Sequence, residues 1–369
     1  MTRTGVEGVN LVGYLNHVIG LGESARQFAG ALRAARFPHA VAAIDLDGVA
    51  PRLSAARAPW LADAELPYDV TILWCNPDRY GIDVDPGELP GRRLVGRWAW
   101  ELRQLPPDWI AAADLFCEIW TASNFVRAAV GGAVSNPVRV IPMAFETPVV
   151  AALDRRVWDL PADRPLFLFM FDYHSISTRK NPVGLITAFT QAFPEAHEAT
   201  LLIKSINAAD LPEAAAELEL AASGHPGIHV VDVALPGPQR LALLAGCDCY
   251  VSLHRSEGFG MTIAEAMAYG RPVIATDYGG NIDFLDATTG YPVGWRPARV
   301  DQPNPVYPVD GLWAEPDLRH AAQLMRQVAN GGDEATARGG RAATRIATRY
   351  SPAAAGEVAA RELARIAGT

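Results

Sequence analysis

The sequence predicts an α/β protein of two domains, each built on a parallel sheet, and three observations lead there. Short apolar runs bounded by turn residues alternate with helical stretches along most of the chain, the order that parallel sheets require. The chain has 369 residues, long for one core, and divides naturally into two. Residues 165–173 are apolar almost throughout, as a strand covered on both faces must be.

In the first half, a strand at 8–15 runs into Asn16-His-Val-Ile-Gly-Leu-Gly-Glu-Ser24 and then a helix to about residue 36. Gly20-Leu-Gly22 stands where a dinucleotide loop would, but the third glycine of that fingerprint is absent and the connection is longer. Both a ligand-facing loop and a plain turn satisfy it. Strands follow at 39–45, 68–75 and 94–100. Asp45-Leu-Asp47 and Asp83-Val-Asp85 have a spacing able to hold a divalent metal, yet each lies in an ordinary polar connection and reads as turn and capping residues. Arg92, Arg93 and Arg97 read as a solvated strand edge, with a basic patch as the alternative. Trp98 and Trp100 offer either an aromatic wall for stacking or core packing, and Asp108 follows a proline pair where it suits a helix cap. A strand at 116–121, a short helix capped at Ser123 and a strand at 138–143 close a first domain of residues 1–150.

Residues 144–164, with Pro148 and Pro161, read as a linker. The second domain, 151–349, opens with the strand at 165–173, a loop from His174 to Pro182 and a helix at 183–193. Strands at 200–206 and 228–234, a helix at 238–244 and a strand at 249–253 continue the alternation. After the loop 257–260 come a helix at 261–269 and a strand at 272–276. Residues 290–314 hold Pro292, Pro297, Pro303, Pro305 and Pro308 and read as an extended insertion, with helices to the end. Ligands of parallel sheets bind beyond the carboxyl ends of the strands. That rule gathers Asp232, residues 252–257 and residues 277–281 near one crevice, where Tyr278-Gly-Gly-Asn281 is either a ligand-facing loop or a simple turn.

Composition narrows the function. Half of the residues are hydrophobic and 20% are charged, the profile of a compact soluble chain. A net charge of −9 argues against nucleic acid and against strong association with an anionic membrane. Cys75, Cys117, Cys247 and Cys249 lack zinc-site spacing, the opening residues have no long apolar core, and no run approaches a membrane span, so a reducing cytoplasm is the expected setting. Of the 32 basic residues only Lys180 and Lys204 are lysines. In so arginine-rich a chain, a lysine marks a place for a compact ammonium. Lys204 suits a crevice-facing role and a surface role equally.

The helix at 261–269 is apolar on nearly every side yet carries Glu265 in its middle. An uncompensated buried polar group costs roughly 2–7 kcal/mol, and a charge more, so something must meet this carboxylate. Sugar or ribose hydroxyls are suitable donors. Gly258 and Gly260, with Phe259 between them, let backbone amides approach a ligand where the helix begins, and the amides of Met261 and Thr262 complete an anion site. An anion seat next to two carboxylates, Glu257 and Glu265, describes a sugar nucleotide.

Glu257-Gly-Phe-Gly-Met-Thr-Ile-Ala-Glu265 resembles the Glu-x7-Glu signature of retaining glycosyltransferases of family 4, and Gly270-Arg-Pro-Val-Ile-Ala-Thr276 is similar to that family's next strand. The resemblance is closest over about 165–285. It implies the GT-B fold: two Rossmann-like domains with parallel sheets facing a central cleft, an acceptor-binding N-terminal domain, a nucleotide-sugar-binding C-terminal domain, and a last helix, about 350–369, packed back on the first. It implies transfer from a nucleoside diphosphate sugar to the hydroxyl of a glycan, lipid-linked or small-molecule acceptor, with retention and with neither cofactor nor metal. By the same resemblance Glu257 contacts the transferred sugar, Glu265 the ribose, and Gly20 and Gly22 approach the donor phosphates. Lys180 matches the lysine of the family's diphosphate-binding pair, while its arginine position holds His174 or Ser175, so Arg179 or His174 shares that work. Where many members carry a sugar-contacting histidine this chain has Trp100-Glu101, which makes Glu101 the candidate replacement. Other enzymes of the fold, such as a glycoside phosphorylase or a nucleotide-sugar epimerase, and a non-catalytic binder are the competing readings.

Overall fold

The computed structural model describes residues 8–46, 65–300 and 306–368. The chain forms two compact units, Met1–Glu146 with Thr348–Thr369, and Thr147–Ala347.

Unit 1 contains β1 (Val9–Gly13), α1 (Gly20–Ala34), β2 (His39–Ala43), β3 (Val70–Trp74), β4 (Arg93–Arg97), α2 (Pro107–Ala112), β5 (Glu118–Thr121), α3 (Asn124–Gly131) and β6 (Val138–Val140). The strands form one parallel sheet in the order β2-β1-β3-β4-β5-β6. Every residue of β1 and β3 is buried, as their mainly apolar sequences require, and the two polar ones pair, Asn10 donating to the Thr71 hydroxyl at 2.9 Å. Ser123 caps α3 by accepting from the Val126 amide, as its type predicts, whereas Asp108 falls inside the first turn of α2 because the chain already turns helical at Pro107.

Unit 2 contains β7 (Leu166–Met170), α4 (Ser177–Lys180), α5 (Pro182–Ala192), β8 (Thr200–Ser205), α6 (Pro212–Ala222), β9 (Ile228–Asp232), α7 (Gly237–Gly246), β10 (Cys249–Ser252), α8 (Met261–Ala268), β11 (Val273–Thr276), β12 (Tyr291–Val293), β13 (Trp295–Arg299), β14 (Leu312–Pro316), α9 (Leu318–Asn330) and α10 (Gly332–Arg349). Its parallel sheet runs β12-β11-β10-β7-β8-β9, so the order reverses between β7 and β10 and opens a switch point there. The expected extended insertion is a correction. Tyr291–Val293 joins the sheet as β12, and β13 pairs with β14 in an antiparallel ribbon. Pro303 and Pro305 lie outside the described residues. Part of the expected linker is anchored to this unit: Arg155 pairs with Asp248 at 2.7 Å, and Tyr269 donates to the Pro148 carbonyl.

The last helix, α11 (Pro352–Gly368), belongs to unit 1. Ala359, Leu363 and Ile366 enter the same core as Val9, Phe28 and Trp74. Burying a side chain such as Leu363 contributes about 1.5–3 kcal/mol. The contact is close, because a Cβ on Gly356 would stand 2.2 Å from the Ala31 carbonyl oxygen of α1. Arg365 pairs with buried Glu118 of β5, fixing the register of this docking. Among the described residues no helix is long and apolar enough to cross a membrane.

Candidate active site

The loops after β7 and β10 flank the unit 2 switch point, and backbone constraints hold both. Asn181, itself left-handed at φ 57°, accepts from the Gly184 amide to start α5 and donates to the Leu253 carbonyl at 2.9 Å. Ile176 sits at φ 64°, an outlier for a β-branched residue that costs roughly 1–3 kcal/mol. That strained turn leads directly into Arg179 and Lys180. Arg179 is only 4% exposed and donates to the Ser256 carbonyl at 2.8 Å, bringing both cations against the residue that follows.

That residue is Glu257. Its Oε1 receives the Lys180 ammonium and lies 3.3 Å from the Arg179 guanidinium. Burial alone would raise the Glu257 carboxyl, but Lys180 and then Arg179 overcome it and hold the pKa at about 2. Two cations thus converge on one carboxylate. Beside it α8 begins at Gly260, φ 92°, with no side chain capping its first turn. Unpaired amides and the positive end of the helix dipole therefore add to the same field. Thr262 turns its hydroxyl inward, where it accepts from Tyr250 at 2.7 Å. The Phe259 ring packs on Phe284 at 4.9 Å, so only its backbone remains for a ligand. Met261 is partly exposed at the helix start.

Tyr278-Gly-Gly-Asn281 is a supporting loop. The Gly280 amide donates to the Glu257 carbonyl at 2.7 Å, and a Cβ on Gly280 would lie 2.1 Å from the Gly258 carbonyl oxygen. His254, fully buried, donates Nε2–H to the Tyr278 carbonyl at 3.0 Å and accepts from Ser252 at Nδ1. Burial lowers its pKa, which favours the neutral ring this arrangement needs.

Glu265 does have the partner its burial demands, but that partner is a guanidinium rather than a hydroxyl. Arg240 of α7 grips both oxygens, at 2.6 and 2.8 Å. Such bidentate charge-assisted pairs are strong and directional. The sequence reading missed Arg240, although it is the one charged residue in the otherwise uncharged α7 and so carried a signal. Lys204, at the end of β8, is 6% exposed, which removes the surface reading. His174 meets Asp210 at 2.9 Å in the loop after β7.

Gly20, Gly22 and Glu101 belong to unit 1. The two glycines lie in the first turn of α1 and not in a loop before it; a Cβ on Gly22 would stand 2.5 Å from the Tyr14 carbonyl oxygen, whereas Gly20 is open to solvent. Glu101 is half-buried after β4, close enough to Asp78 to raise that carboxyl further. The aromatic wall is corrected to packing: Trp98 and Trp100 are 1% and 2% exposed and pack against Trp109, the first edge-on and the second tilted. Arg97 is no solvated edge but 3% exposed. Asp85 caps the turn at residue 86 and Asp83 pairs with Arg79, as turn residues should; Asp47 lies outside the described residues.

Solved structures share this architecture. Anabaena HepE in complex with UDP and glucose matches over 97% of this chain and 99% of its own, at 15% identity and a TM-score of 0.66. Sucrose-phosphate synthase from Thermosynechococcus elongatus matches over the same shares at 15% identity and 0.71. The fold is GT-B. An S. aureus TarM mutant in complex with Fondaparinux, alpha-GlcNAc-glycerol and UDP shares GT-B over 81% of this chain at 14% identity and 0.58, and the present chain spans 55% of its length. Residues 150–293, which carry the whole charged cluster of this GT-B chain, match the family model described as glycosyl transferases group 1. No curated protein matches the chain.

Proposed function

We propose that the protein is a retaining glycosyltransferase of family 4, moving a sugar from a nucleoside diphosphate donor to an acceptor hydroxyl without a metal. The observation that carries this reading is the pairing of two cations, Lys180 and Arg179, with the single carboxylate Glu257 beside the uncapped start of α8. A leaving diphosphate needs its growing charge neutralised, and two cations beside a helix start that no side chain caps supply that from preorganised groups. The UDP in HepE and in TarM supports a nucleotide donor.

Docking of the diphosphate draws Lys180 from Glu257 to the phosphate oxygens, leaving Glu257 held by Arg179 and free to accept from sugar hydroxyls. Glu265 takes the ribose hydroxyls on lone pairs that Arg240 leaves open. His174 borders the phosphates and Glu101 stands in for the family's histidine, while Gly20 and Gly22 bring the start of α1 close to the donor. Glu257 is not assigned as a covalent nucleophile: the leaving phosphate guides the acceptor, a glycan, a lipid-linked saccharide or a small molecule, onto the face it vacates.

The test is release of nucleoside diphosphate from a panel of sugar nucleotides and acceptors, with and without EDTA, by the protein and by Lys180→Ala. We expect chelator-resistant turnover that falls at least about 100-fold in the variant, as for loss of one electrostatic stabiliser of about 2.7–4 kcal/mol. Equal turnover by both proteins removes Lys180 from the chemistry.

A further inference from the structure

Lys204 is the buried charge that the mechanism above does not use. It sits in β8 opposite Met170 of β7, 6% exposed. Among the described residues no hydrogen bond or ion pair reaches its ammonium, and the charged groups around it are already committed. Arg240 repels it and is engaged with Glu265. Asp232 accepts from the Ser205 hydroxyl at 2.8 Å and from the Ala208 amide at 3.2 Å. Asp172 accepts from the His174 amide and from Asn207. An ammonium has three donors and no acceptor, so this one is left asking for oxygen. Burial, then the charge of Arg240, lowers its pKa to about 8 against the pull of Asp232 and Asp172, which records the same deficit.

The order of the groups says which oxygen. If the diphosphate occupies the start of α8 and the ribose meets Glu265, as the proposed function holds, the line of interacting charges continues from Glu265 to Arg240, which grips it, and on to Lys204, which feels the charge of Arg240. A nucleotide laid in that sequence, phosphate then ribose, presents its base last. Resting on that reading of the site, we propose that Lys204 selects the base of the donor by donating to an exocyclic carbonyl oxygen, favouring uracil, thymine or guanine over adenine, which has none.

Calorimetric titration of UDP, GDP and ADP into the full chain and into Lys204→Met tests this. A hydrogen bond from a charged donor is the scale of about tenfold in affinity. The unaltered protein is expected to bind UDP or GDP at least about tenfold more tightly than ADP, and Lys204→Met to lose that margin while its affinity for ADP changes less than about threefold. Lys204→Arg, which keeps charge and donors, retains part of it. Equal weakening of all three nucleotides by Lys204→Met assigns the lysine to the phosphates or to the scaffold and overturns the proposal. Should that variant not fold, the ranking by the unaltered protein still decides, and ADP level with or ahead of both others overturns it. If none of the three binds the folded protein, the sugar-nucleotide reading itself fails.

Discussion

The two sheets each reverse their strand order once, and the two switch points are furnished in opposite ways. In unit 1, between β1 and β3, the Tyr14 hydroxyl donates to Asp83 at 2.7 Å and meets the Cys75 thiol, and Asp83 is paired with Arg79. The nearby buried cation, Arg97, gives its donors to the carbonyls of Thr121 and Ile141 and lies 4.9 Å over the Trp74 ring. In unit 2, between β7 and β10, each motif carboxylate is met by cations: Lys180 and Arg179 on Glu257, and Arg240 on Glu265, with Lys204 feeling the charge of Arg240. The buried cation of unit 1 holds backbone carbonyls, whereas the cations of unit 2 converge on two side-chain carboxylates, with Arg179 holding the Ser256 carbonyl as well.

The widest break in that comparison comes from Arg97→Leu. Burial already pushes this guanidinium below its ordinary pKa, so its charge is uncomfortable, but its removal takes the donor from the Ile141 carbonyl, while the Thr121 carbonyl keeps the Ile141 amide. At about 1–3 kcal/mol for the stranded carbonyl, with the contact over the Trp74 ring lost as well, unit 1 should lose roughly 2–4 kcal/mol. Urea unfolding followed by tryptophan fluorescence would register this, since Trp74, Trp98, Trp100, Trp109 and Trp120 all belong to unit 1. Lys180→Ala should shift the same curve less, by roughly 1–2 kcal/mol, because Glu257 loses its foremost partner but keeps Arg179. If both variants prove equally destabilised, the distinction between scaffold and ligand charges does not hold.

A smaller effect separates the units by pH. Glu257 has an ordinary pKa of 4.5 and a folded value of about 2. Between those values the unfolded chain binds more protons, so the stabilisation is complete above about pH 5 and disappears as pH falls toward 2. Glu257→Gln cannot titrate there and should flatten the acid side of the stability profile by roughly 2–3 kcal/mol. An unchanged acid profile would mean that Lys180 and Arg179 do not stabilise the folded carboxylate. Asp286, lowered chiefly by Thr288 and Arg345 against its burial, keeps its own contribution in both proteins.

These contrasts also mark what the sequence could disclose. The parallel sheets were legible because both-face burial writes apolar runs, and α8 was legible because a lone Glu265 among Ile263, Ala264, Ala266 and Met267 demands a partner. The identity of that partner was not, since Arg240 lies 25 residues away and meets Glu265 only through tertiary packing of α7. The contact of Lys180 with Glu257 spans 77 residues and was hidden in the same way, although each residue was singled out separately. β12 was masked by prolines that edge strands tolerate, since a missing amide on the outer side breaks no ladder bond. Arg97 read as a surface residue because burying a guanidinium against carbonyls leaves no pattern in the residues beside it.

The finest test concerns Trp100, which the sequence left between stacking on a sugar and packing. Its ring lies 4.9 Å from that of Trp109, and its Nε1 donates to the Gln104 carbonyl at 2.9 Å. Trp100→Phe keeps a ring in the cluster but strands that carbonyl, so the expected cost is about 1 kcal/mol, with KM for donor and acceptor unchanged. A stacking platform would show the converse: stability preserved and a sugar KM raised about tenfold, because a ring that touches ligand contributes to binding and not to the core. Melting temperature and the two KM values, measured on one preparation, tell the cases apart. With 2% of its surface exposed, Trp100 has no face left to offer a sugar, and the loss should fall on unit 1 alone.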